Sequence, residues 1–153
     1  MTSQAEYHNN RPLLADALPM MSDVDKALAL QSNHMLDLIY RKGRHDVVAV
    51  AHLADGQTLT GVHAEASQGR ASICAEGSLI SQSIAARSPI VSIISVLRRN
   101  ENDYLIEPCG VCAELLIDYY PDTFIWVGTS SAKALRVQAR DLLPFHQIRT
   151  SRI

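Results

Sequence analysis

The sequence has little net charge and no long apolar segment, and each absence excludes a class of protein. The formal net charge is −2 at pH 7 over 153 residues, so the chain has no large positive field to hold a polyanion. Long DNA or RNA is therefore not an expected partner. The first twenty residues contain no apolar core of signal-peptide length, and no later stretch approaches a membrane span. We expect a cytoplasmic protein with no membrane partner.

Cysteine is scarce, and its number is odd. A closed framework of disulfides cannot use all three cysteines, and a reducing compartment favours thiol or metal chemistry instead. The remaining composition, 47% hydrophobic and 20% charged, is that of a globular domain. Residues 1–21 show weak periodicity and predict a flexible N-terminal arm, whereas residues 22–153 are long enough for a single domain.

Helical and strand patterns alternate along this domain. Ser22 is a predicted N-cap, Asp55-Gly56 is a predicted hairpin turn, and the β-branched run at 90–97 predicts a central strand covered on both faces. The polar stretch at 98–103 is interpreted as a turn. The predicted helices are 22–41, 72–86, 108–121 and a short end at 139–145, and the predicted strands are 46–54, 57–63, 90–97, 123–128 and 133–138. The order predicts an α/β fold, with a mixed sheet covered by helices.

Two short motifs carry the candidate chemistry. Cys74, Ala75 and Glu76 stand at one predicted helix start, and Cys109 and Cys112 follow Pro108 at another. Catalytic zinc usually has three protein ligands and an open fourth position, and the chain supplies three cysteines. Helix N-termini favour thiolates. A carboxylate kept free beside such a metal can move protons.

These motifs resemble the signature of zinc nucleoside deaminases, in which His or Cys, any residue and Glu precede Pro-Cys-x-x-Cys. The resemblance is greatest to small cytidine deaminases and runs from about residue 22 to about residue 145. It implies a cytidine deaminase-like three-layer α/β/α fold with a mixed five-stranded sheet. It also implies one Zn²⁺ per subunit on Cys74, Cys109 and Cys112, with Glu76 as the catalytic proton carrier. The implied reaction is hydrolytic deamination of cytidine or deoxycytidine with ammonia release, within pyrimidine salvage, by a homotetramer or a dimer.

The resemblance also implies substrate contacts from His63, Glu65, Ala75 and His45. His63-Ala64-Glu65 spells a second His-x-Glu, but it lies at a strand end, whereas the metal motif requires a helix start. In the resembling family this position grips the ribose through Asn-x-Glu, so Glu65 matches the family motif and His63 replaces its Asn. An exposed strand-end His and Glu is the structural alternative.

Other positions depart from the family pattern. Gly77 and Ala113-Glu114 stand where many members have arginine and Arg-Gln, and the segment from His45 lacks the usual stacking aromatic. Trp126 and Tyr104 are candidate replacement stacking surfaces, although a Trp in such a strand is typical of a sheet core. Arg70 and Arg87 are candidate replacements for the missing positive charge.

Four alternatives stay open from the sequence. The first is a deaminase for a modified or larger cytosine nucleoside, since the blasticidin-S deaminases share the zinc motif. The second is a zinc module without catalysis. The third is a structural Cys₃His site completed by His52, His63 or His146. The fourth is a thiol redox protein that uses Cys109 and Cys112, which leaves the remaining motif unexplained.

Overall fold

The computed structural model describes residues 10–129 and 131–146, which alternate between helices and strands. The helices are α1 (Leu14–Ala17), α2 (Asp23–Ile39), α3 (Ala75–Ala86) and α4 (Gly110–Tyr119), and the strands are β1 (Val47–Leu53), β2 (Thr58–Val62), β3 (Ile90–Arg99), β4 (Asn102–Ile106), β5 (Phe124–Gly128) and β6 (Ala134–Gln138). Single 3₁₀ turns occur at Leu18–Met20, Gly69–Ala71 and Ala139–Asp141. None of the helices within these ranges has the length and apolarity that a membrane crossing requires.

The strands form one mixed sheet around β3. The strand order is β2-β1-β3-β5-β6, and β4 also pairs with β3. β1 lies along one edge of β3, while the other edge is shared: Ser92 and Ile93 pair in parallel with β5, and residues 95–99 pair antiparallel with β4. β3 therefore changes its neighbour at Ser95.

The two faces of the sheet are covered by different helices. Along β1, Val48 and Val50 pack in a cluster with α2, whereas Ala49, Ala51 and Leu53 pack in a second cluster with α3 and α4. Successive side chains of a strand point to opposite faces, so one strand contributes to both layers. The predicted three-layer α/β/α class is confirmed.

Local signals in the sequence correctly predicted several element ends. The Ser22 side chain accepts a hydrogen bond from the Asp25 backbone N–H at 3.2 Å and caps α2. Gly56 turns the β1–β2 hairpin with φ +88°, a conformation that favours glycine. α3 ends with Arg87 in the left-handed region at φ 56°. The helical end predicted at 139–145 is shorter, a single 3₁₀ turn.

The sheet has six strands rather than the five expected. The additional strand is β4, which begins within the segment 98–103 interpreted as a turn and runs on beyond it. The turn itself needs only Asn100 and Glu101, whose φ angles of 50° and 63° are typical of a two-residue hairpin turn. β4 then brings the buried Leu105 into the core. The polar residues that begin β4 concealed this strand.

The prediction that residues 1–21 form a flexible arm is corrected for residues 10–21, and residues 1–9 lie outside the described part. Leu14, Ala17 and Met21 are buried against the layer of α2. The Leu105 N–H donates to the Pro12 carbonyl at 3.0 Å, which ties the segment to β4. These apolar side chains cover part of the core that would otherwise be exposed to water.

A buried acid links the α2 layer to the far strands of the sheet. Asp25 is 2% exposed. Its carboxylate accepts hydrogen bonds from the Trp126 indole N–H at 3.0 Å and the Arg136 guanidinium at 3.2 Å. Trp126 is itself buried in this cluster, so it is part of the sheet core and not a stacking surface.

We expect Asp25→Ala to lower the free energy of unfolding by about 2–3 kcal/mol, because a buried indole N–H loses its acceptor and the Arg136 ion pair is lost. Asp23→Ala is the matched control, since Asp23 lies in the same helical turn but is exposed. It should cost at most about 1 kcal/mol through the helix dipole. Urea unfolding measures both, and equal losses would contradict the account.

Candidate active site

Three cysteines meet where two helices begin. Cys74 is the N-cap of α3 and Cys109 is the N-cap of α4, while Cys112 lies in the first turn of α4. Their sulfur atoms all lie within 4.8 Å of one another, and the Sγ atoms of Cys74 and Cys109 are 3.7 Å apart. Residues that are 35 positions apart in sequence are thus brought together by the ends of two helices.

A glycine in β2 allows α3 to reach this position. A Cβ atom placed on Gly61 would lie 2.1 Å from the carbonyl oxygen of Ala75 and 2.6 Å from the Ser78 hydroxyl. Any larger residue would therefore push the first turn of α3 away from the sheet. Gly61 sets the depth at which Cys74 and Glu76 sit.

The spacing of the sulfurs fits a metal ion better than a disulfide. Two thiolates on one tetrahedral zinc are roughly 3.8 Å apart, given a Zn–S distance of about 2.3 Å. A disulfide would need about 2.05 Å. In the described part of the chain no histidine joins the sulfur group, so His52, His63 and His146 do not complete a Cys₃His site there.

The electrostatics of the thiols also favour a cation. Burial raises the pKa of Cys112, and the charges of Glu76, Cys109 and Cys74 raise it further. Burial raises the pKa of Cys74 as well, helped by its hydrogen bond with Cys109. Negative charge on the sulfurs is thus costly in the absence of a cation. A bound divalent cation would lower the pKa values of the thiols and hold them as thiolates.

Glu76 lies beside the sulfurs without belonging to their group. It is in the first turn of α3 and is 4% exposed. The Ser95 hydroxyl donates a hydrogen bond to its Oε1 atom at 2.6 Å. Burial raises the pKa of Glu76, and the bond from Ser95 acts in the opposite direction. The site therefore offers a buried carboxyl group next to three candidate ligands.

Cys74, Cys109 and Glu76 line a cavity of about 230 Å³ that opens to the surface, and Cys112 lies outside its lining. Its aliphatic walls are Val47, Ile106 and Pro108, and none of its lining residues in the described ranges is Phe, Tyr or Trp. Tyr104, a candidate stacking residue, is not in the lining. The full lining is Arg11, Val47, His63, Cys74, Ala75, Glu76, Ile106, Glu107, Pro108 and Cys109.

The structure brings some of the predicted substrate residues to the cavity. His63 and Ala75 line it, whereas Glu65 and His45 do not. Glu65 instead contacts His63, with Oε2 2.8 Å from Nε2, and the His45 Nδ1 atom lies 3.0 Å from the His63 carbonyl oxygen. The Nδ1 atom of His63 is buried and has no hydrogen-bond partner among the described residues. Glu65 and His45 thus surround His63 from outside the cavity.

Sequence reasoning missed an ion pair in the cavity wall. Arg11 pairs with Glu107 through its Nε atom, 3.1 Å from Oε2, and through a second contact from Nη2. Neither Arg70 nor Arg87 lines the cavity, and Arg87 caps the opposite end of α3. Glu107 directly precedes Pro108 of the metal motif, so the sequence could have suggested that it lies near the site. Nothing in the sequence pointed to Arg11.

Comparison with known proteins agrees with this architecture. The cytidine deaminase of Bacillus anthracis has a TM-score of 0.69 at 20% identity, over 81% of this chain and 89% of that chain. The cytidine deaminase of Burkholderia pseudomallei has a TM-score of 0.65 at 23% identity, over 82% of this chain and 98% of that chain. This chain has a cytidine deaminase-like fold. The resemblance and the fold class predicted from the motifs are therefore confirmed.

Sequence comparison adds a relative that matches most of the chain. A blasticidin-S deaminase of Bacillus cereus is 27% identical to this chain over 135 residues, which are 84% of the chain and 96% of the relative. No protein-family model matches the chain.

We expect the purified chain to carry about one zinc ion, and Cys112→Ser to lose most of it, because a hydroxyl is a much weaker ligand than a thiolate. Val111→Ser is the matched control: Val111 is 70% exposed in the same helical turn and should leave the zinc content unchanged. Elemental analysis after gel filtration measures the metal. Equal zinc in the wild type and Cys112→Ser would exclude the three-cysteine site.

Proposed function

We propose that the chain is a zinc-dependent aminohydrolase that deaminates a free cytosine nucleoside, such as cytidine or deoxycytidine, to the uracil form. The observation that carries the proposal is one cavity lined by the buried Glu76 carboxyl beside a group of three thiols. The names of the similar proteins, which are cytidine deaminases and a blasticidin-S deaminase, support the same reaction class.

Cys74, Cys109 and Cys112 would hold the metal. Zinc in a site with three protein ligands generates a hydroxide nucleophile from water at about neutral pH. The two helix N-termini would help to stabilise the negative charge of three thiolates. Cys112 is 1% exposed, so at least one ligand is shielded from bulk water.

Glu76 would carry the protons of the reaction. Water adds across the C4–N3 bond of the cytosine ring and ammonia leaves from C4. The carboxylate accepts a proton from the attacking water and delivers it to N3. It then takes the proton of the new C4 hydroxyl and passes it to the amino group, which leaves as ammonia while the C4 oxygen becomes the carbonyl. The net reaction consumes one water and releases one ammonia. Glu76 is unchanged at the end.

The cavity suggests how a nucleoside would be held. Val47 and Ile106 offer aliphatic surfaces on which a flat pyrimidine can pack. His63, with its unpartnered Nδ1 atom, and Ala75 would contact the substrate directly. Glu65 and His45 would act by orienting His63 through the contacts described above. In this proposal the aliphatic walls replace the stacking aromatic that the resemblance implied.

A larger or modified cytosine nucleoside is the second candidate substrate. The relative named blasticidin-S deaminase favours it, and the Arg11–Glu107 pair in the cavity wall supplies charged groups that an extended substrate could meet. Residence in the cytoplasm remains an expectation from the sequence, whereas a role in pyrimidine salvage and assembly into a homotetramer or dimer remain expectations from the resemblance. That residues 22–153 form a single domain is likewise a proposal.

We expect Glu76→Gln to lower turnover by about 10²-fold or more, because the amide cannot accept the proton of the attacking water. The zinc content should stay unchanged, since Glu76 is not a ligand. Glu114→Gln is the matched control, because Glu114 is exposed on α4 and should keep full activity. Ammonia release and the change in ultraviolet absorbance measure turnover on cytidine, deoxycytidine and N4- or C5-modified nucleosides.

The substrate panel also separates the alternatives. Preference for a modified nucleoside over cytidine would favour the second candidate. A zinc-loaded wild type that turns over no member of the panel would favour a zinc module without catalysis. Turnover that Glu76→Gln leaves intact would contradict the proposed mechanism.

A further inference from the structure

A serine in the central strand contacts the proposed proton carrier. Ser95 is 1% exposed, and its hydroxyl donates to Glu76 Oε1 at 2.6 Å. The distance is within the range of about 2.5–2.7 Å that hydroxyl-to-carboxylate bonds adopt, and such bonds are stronger than those between neutral groups. The contact joins the sheet to the first turn of α3.

The surroundings of Ser95 make this bond specific. On the sheet its direct neighbours are Ala49 of β1 and Ile106 of β4, whose side chains have no hydrogen-bonding groups. The adjacent Ile94 and Val96 face the opposite layer. Its sheet neighbours thus offer the hydroxyl no polar side chain, and the hydroxyl bonds to Glu76. Serine has a small side chain, so its role at this buried position is the hydrogen bond of its hydroxyl.

The bond restricts the orientation of the carboxyl group. The terminal torsion of glutamate is broad and has no sharp preferred angle. A donor fixed to β3 and aimed at Oε1 favours one orientation of the Glu76 carboxyl group, which also has hydrogen bonds with the Cys112 side chain and with its own backbone. Misplacement of a catalytic group by about 1 Å can cost about 10²-fold in rate.

We propose that Ser95 is a positioning residue that holds the Glu76 carboxyl in its reactive orientation. This inference rests on the proposed deaminase function. Ser95 does not line the cavity, so it acts through Glu76 and not on the substrate. Its loss should therefore slow turnover more than it weakens substrate binding.

The test compares the zinc-loaded full chain with Ser95→Ala, Ser95→Thr and Ser92→Ala. We expect Ser95→Ala to lower kcat about 10- to 100-fold, with KM within about threefold and zinc content unchanged. Ser95→Thr keeps the hydroxyl and should restore most of kcat. Ser92 is the matched control: it is 1% exposed on the same strand, and its hydroxyl has no partner among the described residues. Ser92→Ala should keep kcat within twofold.

Three outcomes would overturn the positioning role: kcat of Ser95→Ala within twofold of wild type, a rise in KM without a fall in kcat, or an equal loss in Ser95→Thr and Ser95→Ala. If the wild type deaminates a nucleoside and Ser95→Ala does so equally well, only the role of Ser95 fails. If the wild type deaminates nothing, the proposed function fails and the role of Ser95 fails with it.

Discussion

The N-termini of two helices meet at one point, and this contact brings the three sulfurs of the candidate site together. α3 and α4 begin at Cys74 and Cys109, and the close approach of α3 to β2 requires the missing side chain of Gly61. Burial and mutual charge make thiolates costly at this point. A divalent cation would relieve that cost, so fold, donor set and electrostatics all favour the same occupant.

The sequence predicted the parts of the site that depend on local signals. It placed Cys74 and Glu76 at one helix start, and Cys109 and Cys112 at another. This was possible because start and stop residues and apolar periodicity can be recognised within a few residues. The layers of the fold were predictable for the same reason. A continuous β-branched run indicates a strand covered on both faces, and β3 has that position.

Contacts between distant segments could not be predicted from these signals. Arg11 and Glu107 are 96 residues apart, and Ser95 and Glu76 are 19 apart on different elements. Periodicity states which face of an element is apolar, but not which polar side chains meet across the fold. The strand β4 was missed because its first residues are polar. Leu105 is placed in the sheet by the pairing of β4 with β3, which is a contact between segments and not a local pattern.

X-ray absorption at the zinc edge would identify the ligands of the metal in this site. For the purified chain we predict three sulfur ligands at about 2.3 Å and one oxygen ligand at about 2.0–2.2 Å, without the outer-shell scattering of an imidazole ring. That result would describe three thiolates with one position open to water. Four sulfur ligands, an imidazole ligand, or a chain that binds no zinc would contradict the account of an open catalytic site.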